Sequence, residues 1–348
     1  SGVEVSELLP RLGLVIDDIC VIRSMYTFNP THTPARNLIH SGNIAVTRPT
    51  LGAWLNYGLG SENENLPGFV ALSHPRSGKL WRAGFLPSEF QGTRFSADET
   101  APEKMIRYLK NPRQNQASQR QQLDLLGQLN RLHLKQRGTD AFLEGRIQAM
   151  ETAFRMQFAA SEAFDVRKEP GAMRDNYGRD TFGNCCLLAR RLVERGVRYV
   201  QVFSGPGQPW DDHHDINKNR RERCPGIDRS CAALLTDLKQ RGLLDETLVI
   251  WGGEFGRTPV SEAGTGRDHN PYGYTMWLAG GGMKGGVAHG ATDEFGFRAV
   301  ENRVSIHDLH ATLLHQMGID HEKLTYRFSG RDYRLTDVHG RVLHELIA

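Results

Sequence analysis

The sequence predicts an α/β fold in which a mostly parallel sheet is sandwiched by helices. Three observations lead there. Short apolar runs recur along the chain, each handing over to a polar or glycine-rich loop. Between residues 197 and 251 a strand pattern, a helical pattern and a second strand pattern follow one another at the spacing of a βαβ crossover. Such a unit implies parallel strands covered on both faces. Acidic residues and histidines gather directly behind these runs, where sheets of this kind bind ligands, beyond the carboxyl ends of the strands.

Taken in order, five runs read as buried strands: Ile19–Met25, Gly68–Leu72, Val197–Phe203, Thr247–Trp251 and Tyr274–Ala279. Between the third and fourth, residues 229–242 place Ala232, Leu235 and Leu238 on one helical face and stop at Gly242. From Ala101 to about Phe164 the chain is rich in Gln, Arg, Lys and Leu at helical spacing, with few glycines. This stretch predicts two helices, an insertion (residues 101–165) within a single domain that spans residues 1–348. Its polar run "RQNQASQRQQ" reads as a solvated helix face. The tail predicts a hairpin-like turn followed by a closing helix, and no internal repeat is present.

A chain of 348 residues can bury a large core. Its net charge of +3, from 43 basic and 40 acidic residues, is too balanced for nucleic acid or an acidic membrane as the main partner. No stretch approaches the roughly 18 apolar residues of a membrane helix, so no integral membrane segment is expected. No signal peptide is recognisable, and any leader is expected to lie outside this sequence. The five cysteines show no zinc-type spacing and read as free thiols, with pairing of Cys224 and Cys231 left open.

Behind Phe203, three aspartates and two histidines fall within Asp211–Asp215. Carboxylate oxygens and imidazole nitrogens together suit a divalent ion such as zinc or manganese. Behind Trp251 stands Glu254, followed later by Asp268 and His269. One carboxylate from each of several strand ends would assemble a metal centre. Glu254 paired with Arg257 or Arg267 in a buried bridge is the alternative, and the two are compatible. Behind Met25, Pro34 suits the first turn of a helix. Thr31, His32 and Thr33 then stand at its amino end, where backbone amides favour an anion. Arg36 adds a fork for phosphate or sulfate. A capping threonine with a core-edge histidine is the other reading of that segment. His307 and His310, at the start of an amphipathic helix, read as packing and capping groups.

These segments, in this order, resemble the alkaline phosphatase and sulfatase superfamily, and more closely the sulfatase-like proteins called domain of unknown function 1501. The resemblance covers nearly the whole chain and is carried by "GEFGRTP" (253–259), "GRDHNPYG" (266–273), the "WD" opening the histidine loop, and "AGGGMKGG" (279–286). It implies that Asp211, His213 and His269 hold one metal position and that Glu254 serves a second. Phe255 stands where the superfamily has the histidine of an Asp-His-Gly motif. His32-Thr-Pro-Ala-Arg36 lies where sulfatases carry a Cys-x-Pro-x-Arg motif, so formylglycine cannot form there. Thr31 or Thr33 is then the candidate nucleophile, or His32 a ligand or base. The resemblance also implies export, and an earlier strand bearing a metal aspartate that this sequence does not contain.

The expected activity is metal-dependent hydrolysis of an anionic phosphate or sulfate ester, with zinc or manganese favoured and calcium admissible. The residues expected to act are His32, Thr33, Arg36 and Arg257, with Asp211, His213, Glu254, Asp268 and His269 as metal ligands. The competing expectation is a catalytically silent, metal-containing domain that binds a sulfated or phosphorylated glycan or a protein.

Overall fold

The computed structural model describes residues 1–45, 47–73, 80–96, 98–106, 109, 115–138, 141–262 and 264–348. From the amino end the chain forms α1 (Pro10–Leu14), β1 (Ile19–Tyr26), α2 (His32–Ser41), α3 (Leu51–Leu59), β2 (Phe69–Ser73), β3 (Thr93–Ser96) and α4 (Pro102–Met105). Next come α5 (Gln116–Arg137), α6 (Ala141–Ala163), α7 (Gly171–Tyr177), α8 (Thr181–Val193), β4 (Tyr199–Val202), α9 (Ile216–Gln240) and β5 (Val249–Trp251). Two short strands, β6 (Gly256–Arg257) and β7 (His269–Asn270), precede β8 (Tyr274–Ala279) and β9 (Val287–His289). The chain ends with β10 (Ala291–Thr292), β11 (Ala299–Glu301), β12 (Val304–Ser305), α10 (Ile306–Gln316), β13 (Tyr326–Phe328) and β14 (Arg331–Tyr333).

β1 is the spine of the larger sheet. β8 runs antiparallel along one side of it, and β5 flanks β8, also antiparallel. On its other side β9 pairs with Cys20–Ile22 and β12 with Met25–Tyr26, both parallel and placed end to end. The smaller sheet, in the order β3-β2-β4, is parallel throughout. Four of the six ladders in these two sheets are therefore parallel, as an α/β fold of the expected kind requires.

β1 is apolar on both faces because both faces are covered. Cys20 and Ile22 pack with the layer holding α2, α3 and α10, while Ile19 and Val21 pack against α1 and α9. Each such side chain removed from water contributes about 1.5–3 kcal/mol. β2 sits between Phe95, Phe164 and Leu187 in a third cluster built largely from α6 and α8. α8 is tied to its neighbours by a buried Arg190, which lies 2.8 Å from Glu169 and 2.9 Å from Asp237.

Several expectations change. α9 begins at Ile216, well before residue 229, and carries Pro225 inside it. A proline removes only one helical hydrogen bond, which the remaining turns outlast in a helix of 25 residues. The strands on either side of α9 do not pair with each other: β4 belongs to the smaller sheet and β5 to the larger. The expected βαβ unit within one sheet is thus not formed among the described residues, because crossover spacing specifies a direction and not a partner. The strand before Glu254 is only half-buried, not buried as its apolar run suggested. α2 starts at His32, two residues ahead of Pro34. The tail forms the β13–β14 hairpin but closes on a short 3-10 turn at His344–Leu346 and not on a helix. In the stretch read as an insertion, α5 and α6 are the two long helices, while residues 107, 108, 110–114, 139 and 140 lie outside the described residues, with part of the "RQNQASQRQQ" run. All five cysteines are free.

Candidate metal centre

The loops behind β1, β4, β5 and β6 meet at one place. α2 opens there because Thr31 adopts an extended backbone as N-cap and His32 takes the first helical position. The loop behind β4 brings Asp211 and His213, and β7, paired with β6 through Arg257 and His269, brings His269. Adjacent residues in that loop take opposite roles. Asp212 is buried and bonded to Asn219 and Arg223, holding the loop to the start of α9. Asp211 faces the cluster.

Three imidazoles surround the Asp211 carboxylate. His32 Nε2 lies 3.0 Å from Asp211 Oδ2, and His269 Nε2 lies 3.0 Å from Oδ1. His213 Nε2 is 3.1 Å from the same Oδ1 and 3.1 Å from His269 Nε2. The far side of each ring faces an acceptor. His32 Nδ1 sits 2.7 Å from Glu254 Oε1, His269 Nδ1 2.6 Å from the Pro30 carbonyl, and His213 Nδ1 3.6 Å from Asp268 Oδ1. A ring whose Nδ1–H is given to an acceptor presents a lone pair at Nε2. His32 Nε2 is also buried without a well-directed hydrogen bond, despite its nearness to Asp211. Donor atoms of His32, Asp211 and His269 all lie within 4.8 Å of one another. Lone pairs that converge on a carboxylate, with one left orphaned, are what a cation site would satisfy, and nitrogen with oxygen donors suits zinc or manganese.

The expected ligands divide accordingly. Asp211, His213 and His269 stand among the inward donor atoms, joined by His32. Glu254 and Asp268 stand behind the rings: Glu254 orients His32, and Asp268 accepts from the Glu262 amide at 2.9 Å. Arg257 does not point at open space, since its Nη2 donates to Asp211 Oδ1 at 2.5 Å and its Nη1 to the Arg267 carbonyl at 3.1 Å. Burial alone would raise the Asp211 carboxyl. Arg257 donates to it and, with the His269 and His32 rings beside it, holds it well below the usual carboxylate range. Among the described residues Arg36 makes a single long bond, 3.4 Å, from Nε to the His32 carbonyl. Thr33 is exposed on the first turn of α2.

Sequence reasoning noted Phe255 only as a departure from a motif, and it missed the part played by Gly266. The Phe255 ring lies 5.0 Å from the His32 ring and 4.4 Å from that of His269, an apolar wall against both. Gly266 lets the His213 segment approach, because a Cβ there would stand 2.0 Å from the His213 carbonyl. The glycines around Thr265 were a legible signal for close backbone approach.

Solved structures similar to this chain include Ps i-CgsB in complex with k-i-k-neocarrahexaose, with a TM-score of 0.42 and 11% identity over 89% of this chain and 66% of that one. The PsFucS1 sulfatase from Pseudoalteromonas sp. has a TM-score of 0.42 and 12% identity over 90% of this chain and 63% of its own. The chain thus spans about two thirds of the length of these structures. Among curated proteins none matches it. The family described as protein of unknown function (DUF1501) matches residues 1–347, and the chain belongs to that family.

Proposed function

We propose that the chain is a metal-dependent hydrolase of phosphate or sulfate esters, centred on Asp211, His32, His269 and His213. The observation that carries this reading is the convergence of three imidazole Nε2 atoms on one carboxylate, with the His32 and His269 rings each held from behind by an acceptor. A divalent ion, when bound, supplies a Lewis acid and lowers the pKa of a coordinated water toward ~7. Glu254 keeps His32 in the tautomer that donates from Nδ1. Arg257 keeps Asp211 ionised and in place. Arg36, with little else to bond, is the guanidinium free to meet an anionic ester at the start of α2. The substrate class and export to the periplasm or beyond rest on the family resemblance. Among the described residues, no helix is long and apolar enough to cross a membrane.

A second reading, binding without turnover, is favoured by one observation. Thr31 and Thr33, the hydroxyls expected to serve as nucleophile, are exposed and make no side-chain hydrogen bond to Asp211, His32, His213 or His269 among the described residues. Elemental analysis and assays with aryl phosphates and aryl sulfates in zinc, manganese and calcium separate the readings. Asp211→Ala should lose the ion and at least ~10²-fold of esterase activity while keeping its circular dichroism. Unchanged metal content in that variant would remove the proposal. Metal retained by the parent chain with no turnover in any ion would establish the second reading.

A further inference from the structure

We infer that α5 is a self-pairing surface, along which two copies of this chain meet as an antiparallel helix pair. α5 spans 22 residues and holds six leucines, yet none of its described side chains is buried. A helix in water owes most of its stability to an apolar face covered by another element. Within the chain that cover is thin. Arg120 reaches Glu151 of α6 at 3.1 Å, and Gly127, Arg131 and Leu134 line a cavity shared with Glu144 and Ile147 of α6. Leu125, Leu126, Leu129 and Leu132 are instead between 49% and 58% exposed.

The face turned away from α6 differs from an ordinary solvated one. At about 100° per residue, Arg120, Asp124 and Arg131 project on the same side of the helix as Gly127 and Leu134, toward α6. Opposite them run Ser118, Gln122, Leu125, Leu129, Leu132 and Gln136, at alternating intervals of four and three residues. That alternation is the seam of a coiled coil. No Asp, Glu, Lys or Arg stands on it. A helix face left to water carries its charges outward. α5 does the reverse.

The seam also indicates its own occupant. It needs a partner with an apolar middle and polar ends, because Leu125, Leu129 and Leu132 are flanked by Gln122 and Gln136. A second α5 has that order. With Leu125 of each copy beside Leu129 of the other, the leucines gather at the two-fold axis and the glutamines stay near water. The charges beside the seam favour the antiparallel sense. Asp124 of one copy then lies nearly level with Arg131 of the other, whereas a parallel pair would set Arg131 level with Arg131 and Lys135 with Lys135. A patch complementary to itself in this way closes into a two-fold dimer.

Sedimentation equilibrium of the 348-residue chain and of Leu129→Glu, from about 1 to about 100 µM, tests this. We expect the parent to pass from 39.1 kDa toward twice that mass. Leu129→Glu puts an unpaired carboxylate in the seam and should associate at least ~100-fold more weakly. Because Leu129 is exposed in the single chain, the variant should keep its circular dichroism. Leu125→Cys mixed with Leu129→Cys should, under mild oxidation, link to each other faster than either links to itself, with the parent and its free cysteines as the control. A parent that stays monomeric at the highest concentration overturns the inference. So does a dimer that Leu129→Glu leaves intact, and so do cysteines that link fastest to their own kind, the mark of a parallel pair.

Discussion

Asp211 meets three imidazole nitrogens and a guanidinium, while its neighbour Asp212 is spent on Asn219 and Arg223. The pair illustrates how one step along a loop separates a chemical group from a structural one. Glycine at 266 is what lets the loop close, since His213 backbone atoms occupy the space a Cβ would need. Gly266→Ala should push the His213 segment away from the cluster and weaken metal binding by ~10-fold or more. Competition with a chromophoric chelator reads this directly. Equal affinity in parent and variant would show that His213 takes no part.

At the scale of elements, α10 carries the clearest local signal. Ser305 Oγ accepts from the Asp308 amide at 3.1 Å, and Asp308 Oδ2 accepts from the Ser305 amide at 3.0 Å, a reciprocal cap. Behind it Leu309, Leu313 and Leu314 face the core beneath β1. Ser305→Ala should therefore cost about 1 kcal/mol. The expected sign is a lower urea midpoint with an unchanged slope, and with metal content unaffected because α10 contributes no donor to the cluster. α2 has no such side-chain cap, and its first two turns carry His32 and Arg36. The reading of His307 and His310 as packing groups is met in their bonds to the Gly42 and Ile39 carbonyls.

The whole molecule joins its layers partly through buried neutral histidines, and these set its behaviour in acid. Burial holds His310 down at about 3, and burial together with Arg82 and Arg36 holds His40 at about 4. In the unfolded chain both titrate near 6.5. Below that pH the unfolded chain takes up protons that the fold refuses. The contribution of each histidine is therefore complete above about pH 6.5 and is lost as pH falls toward the folded value. Each site steepens the loss by up to about 1.4 kcal/mol per pH unit. His310→Gln keeps a donor for the Ile39 carbonyl and removes one titration. Urea unfolding at stepped pH between 7 and 4 should give a shallower decline for the variant, and parallel curves would refute the assignment.

The sequence by itself marked five of the strand runs and the loops in which the donors lie. Those features depend on neighbours a few residues apart, through side-chain alternation, helical spacing and the backbone limits of proline and glycine. It also marked Asp211, His213, His269 and His32 as residues of interest, because such groups behind apolar runs have few structural uses. Only the tertiary structure decided which of them face one another. It moved Glu254 and Asp268 behind the histidines, bound Arg257 to Asp211, and set β4 and β5 in different sheets. These outcomes turn on distances between groups 46 to 222 residues apart, which no local pattern encodes.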